Sequence, residues 1–310
     1  MYHYVRDLPR TRYPRIRGIL TDEFLWQVRQ LSAEFEMPTL EAALAFLRGE
    51  YTPRRNLCML TFDDGLKEHA TEVMPILAEH QIQGLFGIVT SCIHDRRVAP
   101  VHMNHFLTAT LDFTEYRDAF AREVNERAPG MMERIAIDAN AAQSSYPLDT
   151  REMASFKMLV NFLLPANVRD AAIRALFSTY FGGEAGFARE LYMSWQDIRQ
   201  LQSAGMLVAG HTHWHRPLST LSETELDADI AMSRRLMDQH LSAQDLWPFS
   251  YPYGKRNSYS PAVVRRLTQE RYDCAFGTEP GPNAARAPLF ELCRVDCKNA
   301  VGELCGMEKP

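Results

Sequence analysis

Apolar residues recur along this chain with two different spacings, and the switches between them mark out its elements. Asn56-Leu-Cys-Met-Leu-Thr-Phe62 and Gly84-Leu-Phe-Gly-Ile-Val-Thr90 are short, almost continuous apolar runs, the pattern of parallel strands buried on both faces. Residues 67–80 between them carry helical spacing, so strand, helix and strand follow one another without a hairpin, which predicts a βαβ unit. A first strand is expected at 2–5. Helices are expected at 22–34, where Phe24, Leu25, Val28 and Leu31 share one face, and at 40–47, stopped by Gly49.

From about residue 91 to 190 the strand runs vanish and helical spacing takes over, at 113–124, 152–164 and 168–180, with Gly182-Gly183 ending the last. The expectation is a helical insertion at about 91–190 within a single domain spanning 1–310. The α/β rhythm then resumes. Ser194-x-x-Asp197 and Ser222-x-x-Glu225 are helix starts of the capping-box kind, and Ser260-Pro261 opens a further helix. Strands are expected at 206–209, 246–251, 273–277 and 292–295, making seven in all.

Composition narrows the class. The 310 residues are 46% hydrophobic and 24% charged, ordinary for a globular enzyme. A net charge of -5 argues against nucleic acid or an anionic membrane as the main partner. No apolar run of about 18 residues predicts a transmembrane helix. The amino terminus lacks a basic segment followed by an apolar core, so a cytoplasmic protein is expected. The six cysteines are scattered and lack a usual structural-zinc spacing, which reads as small buried hydrophobes in a reducing compartment.

The candidate chemistry lies just after the strand runs. Asp63-Asp64-Gly65 follows the first buried run, and Gly210-His211-Thr-His-Trp-His215 follows another. In a parallel barrel those are positions on the carboxyl-end rim, where active sites form. A carboxylate and two imidazoles make a three-ligand set for a catalytic ion with a position left for water, and the spare carboxylate can take that water's proton. Gly65 permits the sharp turn that lets two adjacent aspartates share a site; the bland alternative is that Asp64 caps the following helix. A helical turn at 211–215 would project His211 and His215 from one face, with His213 aimed elsewhere.

Taken together, Thr61-Phe-Asp-Asp-Gly65, His211-Thr-x-x-His215 and Tyr251-Pro-Tyr-Gly254 resemble the first three motifs of the polysaccharide deacetylases, carbohydrate esterase family 4, with the nodulation-type chitooligosaccharide deacetylase domain. The resemblance implies a distorted (β/α) barrel, here of about seven parallel strands with the helical insertion. It implies one divalent metal ion on Asp64, His211 and His215, zinc first, with cobalt, nickel, manganese or iron as alternatives. It also implies Asp63 as general base and the backbone N–H of Tyr253 as oxyanion donor.

Two departures stand out. Ser250 occupies the place of the arginine that often orients the base, so Asp63 needs another partner. The late Leu-x-His motif that supplies the family's general acid is missing; the comparable stretch reads Leu292-Cys-Arg-Val-Asp296. His102, His105 and His3 are the replacement candidates, with His102 favoured. Trp195, Trp214, Tyr251 and Tyr253 are candidates for stacking on a sugar, Trp214 foremost because ligand histidines flank it. The expected activity is removal of an acetyl group from an N-acetylated sugar of a glycan or glycan precursor, with O-acetyl removal as the lesser alternative. An amidohydrolase acting on a small non-sugar amide and a carbohydrate-binding protein with a degenerate site are the rival readings.

Overall fold

The buried runs do become strands, each shorter than its run: β1 (Leu60–Phe62), β2 (Gly84–Ile88), β3 (Leu207–Gly210), β4 (Pro248–Ser250) and β5 (Cys274–Phe276). All are parallel and lie side by side in chain order. Phe62 and Phe86 sit opposite each other in the register and stack at 4.8 Å, fully buried. The structure, a computed structural model, describes residues 1–146 and 149–306.

Among the described residues five regular strands, not about seven, therefore form the sheet. The two expected outer strands survive only as single parallel bridges, Tyr2 with Phe62 and Leu292 with Phe276. Local hydrogen bonding explains the loss. Val5 bridges to Ile19 instead of continuing along β1. At the other edge the Asn283 side chain takes both the amide and the carbonyl of Cys293, and the Arg294 amide goes to the Glu279 carbonyl. A backbone group spent on a loop cannot extend a ladder. The two edge segments nevertheless meet, the Met1 nitrogen donating to the Val295 carbonyl at 2.8 Å.

The helices follow their sequence signals closely. Both capping boxes form, at Ser194/Asp197 and Ser222/Glu225, opening Trp195–Ser203 and Glu223–His240. Gly49 ends Leu40–Arg48 with φ +80°, a left-handed conformation that glycine adopts freely. The crossover from β1 to β2 contains a π-helical turn, His69–Val73, before Met74–Glu79. Its His69 is buried beside Phe62 and Phe86, and the ring Nε2 donates to the His3 carbonyl at 2.9 Å.

By contacts the chain divides into two compact units. The first comprises Met1–Thr11, Arg17–Arg97 and the chain from Ala188 onward, and holds the whole sheet. The second comprises Arg12–Ile16 and Val98–Phe187, helical as expected. Its helices include Pro100–Thr110, Phe113–Arg127, Arg151–Met158 and Ala166–Phe181, and Phe106, Phe177 and Phe187 pack edge to face within it. No helix among the described residues is long and apolar enough to cross a membrane.

Close backbone approach fixes Gly210 at the end of β3: an added Cβ would lie 2.5 to 2.8 Å from the phenol ring of Tyr272. Gly210→Ala is expected to lower stability by about 1–3 kcal/mol, the usual range for overpacking a core. Thermal unfolding of the purified variant measures it, and a midpoint unchanged from the parent would contradict the packing described.

Candidate metal centre and active site

The site residues lie in the segments that follow strand ends. Asp63 and Asp64 follow β1, His211 follows β3, and Tyr251 to Gly254 follow β4. Asp64 (φ +82°) and Gly65 (φ +67°) turn the chain abruptly, so the neighbouring carboxylates do not alternate across a strand. The turn that glycine was expected to permit thus begins one residue earlier, on an aspartate.

The structure brings Asp64, His211 and His215 together. Asp64 Oδ1 lies 3.3 Å from His211 Nε2 and 3.2 Å from His215 Nε2. All three residues are buried, and their ligand atoms lie within 4.8 Å of one another. Two ligand atoms each about 2.1 Å from a tetrahedral ion sit about 3.4 Å apart. The donor set therefore fits a small divalent cation in both chemistry and spacing. The orientation of one imidazole is fixed from behind: His211 Nδ1 donates to the Ser250 carbonyl at 2.7 Å, leaving Nε2 as the acceptor facing Asp64. Burial disfavours charge on His211, but Asp63 and Asp64 outweigh it and raise its pKa when no metal is bound.

The expected helical turn at 211–215 does not form. The segment is irregular, with Thr212 at φ +67° and His215 at φ +54°. Such values strain a side-chain-bearing residue, most of all a β-branched one. The histidines converge because the loop doubles back on itself, and the Thr212 hydroxyl accepts the His215 amide at 2.9 Å. His213 is buried and structural, its Nδ1 within 2.9 Å of the Thr90 hydroxyl and its Nε2 3.4 Å from an Asp95 oxygen.

Asp63 finds the partner that Ser250 does not supply. Arg294 pairs with it, Nη1 donating to Oδ1 at 3.0 Å and Nη2 lying 2.8 Å from Oδ2 as an ion pair, both side chains 4% exposed. The same guanidinium donates to the Thr61 hydroxyl and, through Nε at 2.6 Å, to the Gly277 carbonyl. Burial pushes the Asp63 carboxyl up, but Arg294 and then His211 overcome it and hold the group well below the usual carboxylate range. Sequence reasoning missed Arg294, although the signal was there: it occupies the third position of Leu292-Cys-Arg294, where the family's late motif has histidine. Gly87 completes the floor, since a Cβ there would stand 3.2 Å from Asp63 Oδ1.

The other predicted residues divide. Trp214 and Tyr253 are 40% and 38% exposed, and the Tyr253 ring lies 5.5 Å from that of His215. The turn carrying Tyr253 (φ +64°) is pinned by Thr278, whose hydroxyl donates to the Tyr253 carbonyl and whose amide donates to the Gly254 carbonyl. Tyr251 is core instead of sugar platform: it is 1% exposed, stacks on Tyr259 and donates its hydroxyl to the Phe290 carbonyl. Trp195 stacks on His240 at 4.5 Å. His102 belongs to the helical unit, fully buried on Pro100–Thr110 with its ring 5.8 Å from that of His105. His3 lies in the same unit as Asp64, His211 and His215. A cavity of about 460 Å³, lined by residues including Leu44, Met59, Thr61, Leu292 and Arg294, reaches the partners of Asp63, but its lining includes none of the three ligand residues.

Comparison with known proteins agrees with these motifs. Residues 161–271, just over a third of the chain, match the family model described as polysaccharide deacetylase. The resemblance to polysaccharide deacetylases is upheld. The matched stretch contains His211, His215 and Tyr253 but ends short of Arg294 and begins after Asp63 and Asp64. A search of curated proteins finds no match. Among solved structures, IcaB from Ammonifex degensii superposes with a TM-score of 0.57 at 18% identity, covering 96% of this chain and 91% of its own. The deacetylase PplD from Streptococcus pyogenes, solved with acetate, gives 0.55 at 13% identity, covering 95% and 88%. The BpsB deacetylase domain from Bordetella bronchiseptica gives 0.52 at 15%, covering 94% and 93%. At these identities the likeness is one of fold, an α/β barrel of the deacetylase kind.

The Asp63–Arg294 pair carries a testable consequence for stability. Arg294→Met leaves a buried carboxylate without its counter-charge and is expected to destabilise the protein by about 3–5 kcal/mol. Adding Asp63→Leu to that variant is expected to restore most of the loss, because a buried pair replaced by apolar groups is often neutral. Urea unfolding of the single and double variants checks it; additive losses would show that the two side chains do not act as a pair.

Proposed function

We propose that the chain is a metal-dependent deacetylase that hydrolyses the N-acetyl group of an amino sugar within a glycan or glycan precursor. The observation that carries this reading is the buried Asp64, His211 and His215 cluster beside an Arg294-held Asp63. The polysaccharide deacetylase match and the fold shared with the deacetylases PplD and BpsB support it. The acetate in the PplD structure is the product such a reaction would release.

Asp64, His211 and His215 would hold a divalent ion, zinc first among the candidates, which would supply Lewis-acid chemistry: polarisation of the acetyl carbonyl and acidification of water near neutral pH. Around it the chain's own residues divide the work. Asp63, kept anionic by Arg294, accepts a hydrogen bond from the attacking water and takes up its proton transiently. Its low proton affinity means that it passes this proton on readily. The Tyr253 amide, on the turn pinned by Thr278, donates to the carbonyl oxygen as negative charge develops there. Trp214 offers a half-exposed ring on which a pyranose can stack. For protonation of the leaving amine, His3 is the candidate histidine that shares a unit with Asp64, His211 and His215. It directly follows Tyr2, which bridges to Phe62 and whose carbonyl accepts the Asp63 amide.

The test is acetate release from N-acetylglucosamine oligomers, measured beside a panel of small non-sugar amides. Turnover of the oligomers is expected to fall about 10²–10⁴-fold in Asp63→Asn, the usual contribution of a general base. Faster hydrolysis of the non-sugar amides, or release from the oligomers that Asp63→Asn leaves intact, would overturn the assignment.

A further inference from the structure

The loop bearing both histidine ligands contains two strained residues, Thr212 and His215, so something must hold it in shape. Part of the support is backbone: the amides of Thr90 and Ser91 donate to the carbonyls of Thr212 and His213 at 3.2 and 3.1 Å. The middle of the loop is held differently. Asp229, on Glu223–His240, is fully buried; one oxygen of its carboxylate accepts the His213 amide, and the Trp214 amide next in the chain also acts on the group.

Among the described residues no side chain hydrogen-bonds to that carboxylate, although the Arg216 charge also acts on it. Its second oxygen is buried without a protein hydrogen bond, as are the Ser233 hydroxyl one helical turn on and the Tyr272 hydroxyl packed against Gly210. Burial pushes the Asp229 carboxyl up to about 6, with the two loop amides pulling the other way. A fully buried carboxylate whose hydrogen bond goes to an amide lying between His211 and His215 has that loop as its evident purpose.

We infer that Asp229 is a positioning residue for the metal centre: by gripping the His213 amide, with the Trp214 amide drawn toward the same carboxylate, it keeps the loop folded back so that His211 and His215 converge on one ion. The inference rests on the metal-site reading of Asp64, His211 and His215. It extends that site beyond the ligands to a helix that contributes no group to the chemistry. The same bond fixes the backbone next to Trp214, linking the exposed ring to the ligand geometry.

The experiment strips the full-length protein of metal and titrates it with zinc against a competing chelator. Asp229→Ala is expected to weaken zinc binding about 10–100-fold, the usual effect of losing a group that orients metal ligands. Asp229→Asn, which retains one acceptor oxygen for the amides, is expected to stay within about threefold of the parent. Parent-like zinc affinity in Asp229→Ala, with only a lowered unfolding midpoint, would reduce Asp229 to a packing role and overturn the inference. So would equal weakening in both variants, which would assign the effect to charge instead of the amide bonds. Should Asp229→Ala not fold, amide hydrogen exchange in the metal-free parent decides. His213 and Trp214 are expected to exchange at least about 100-fold more slowly than in an unfolded chain, and unprotected amides would overturn the inference. A parent that takes up no zinc would instead sink the underlying metal-site reading.

Discussion

The arrangement turns on one electrostatic constraint: a carboxylate oxygen and two imidazole nitrogens face one another inside the protein, at distances that suit a shared cation. With His211 donating through Nδ1 to the Ser250 carbonyl, its Nε2 can offer Asp64 only a lone pair while it stays neutral. Acceptors facing acceptors in a buried space repel unless a positive charge lies between them. A proton partly meets that demand, which is why the two aspartates raise the pKa of His211. A divalent ion meets it fully, for all three groups together.

Holding that arrangement strains the backbone, and the fold localises the strain. Of the eight non-glycine residues with positive φ among those described, Asp64, Thr212, His215 and Tyr253 belong to the site. Left-handed conformations of this kind persist only where surrounding structure imposes them. Here the imposing contacts are specific: the Thr212 hydroxyl on the His215 amide, Thr278 on the Tyr253 turn, and Asp229 beneath the histidine loop. The sheet sets where these turns begin, since each follows directly from the carboxyl end of a parallel strand. The charged pair Asp63–Arg294 lies behind them, tying the end of β1 to the segment after β5.

Much of this was legible in the sequence because local patterns dictate it. Continuous apolar runs gave the parallel strands, capping residues gave the helix starts at Ser194 and Ser222, and motif order placed Asp64, His211 and His215 together. What escaped depends on contacts between residues distant in sequence. Arg294 is 231 positions from Asp63, and no periodicity links them; only its place in a broken Leu-x-His motif hinted at a role. The loss of the outer strands follows from side-chain bonds such as Asn283 to Cys293, which hydrophobic pattern does not encode. The non-helical path of 211–215 was hidden for a related reason: histidines four apart suit a helical turn, whereas two left-handed residues bring them together by another route. Tyr251 misled because a buried ring and a sugar platform look alike in sequence.

Metal analysis of the purified chain, combined with X-ray absorption at the metal edge, tests the central claim most directly. The account predicts one divalent ion per chain, ligated by two imidazole nitrogens and a carboxylate oxygen at about 2.0–2.2 Å, and lost from Asp64→Ala. An ion bound elsewhere, or one that Asp64→Ala retains with unchanged coordination, would contradict it.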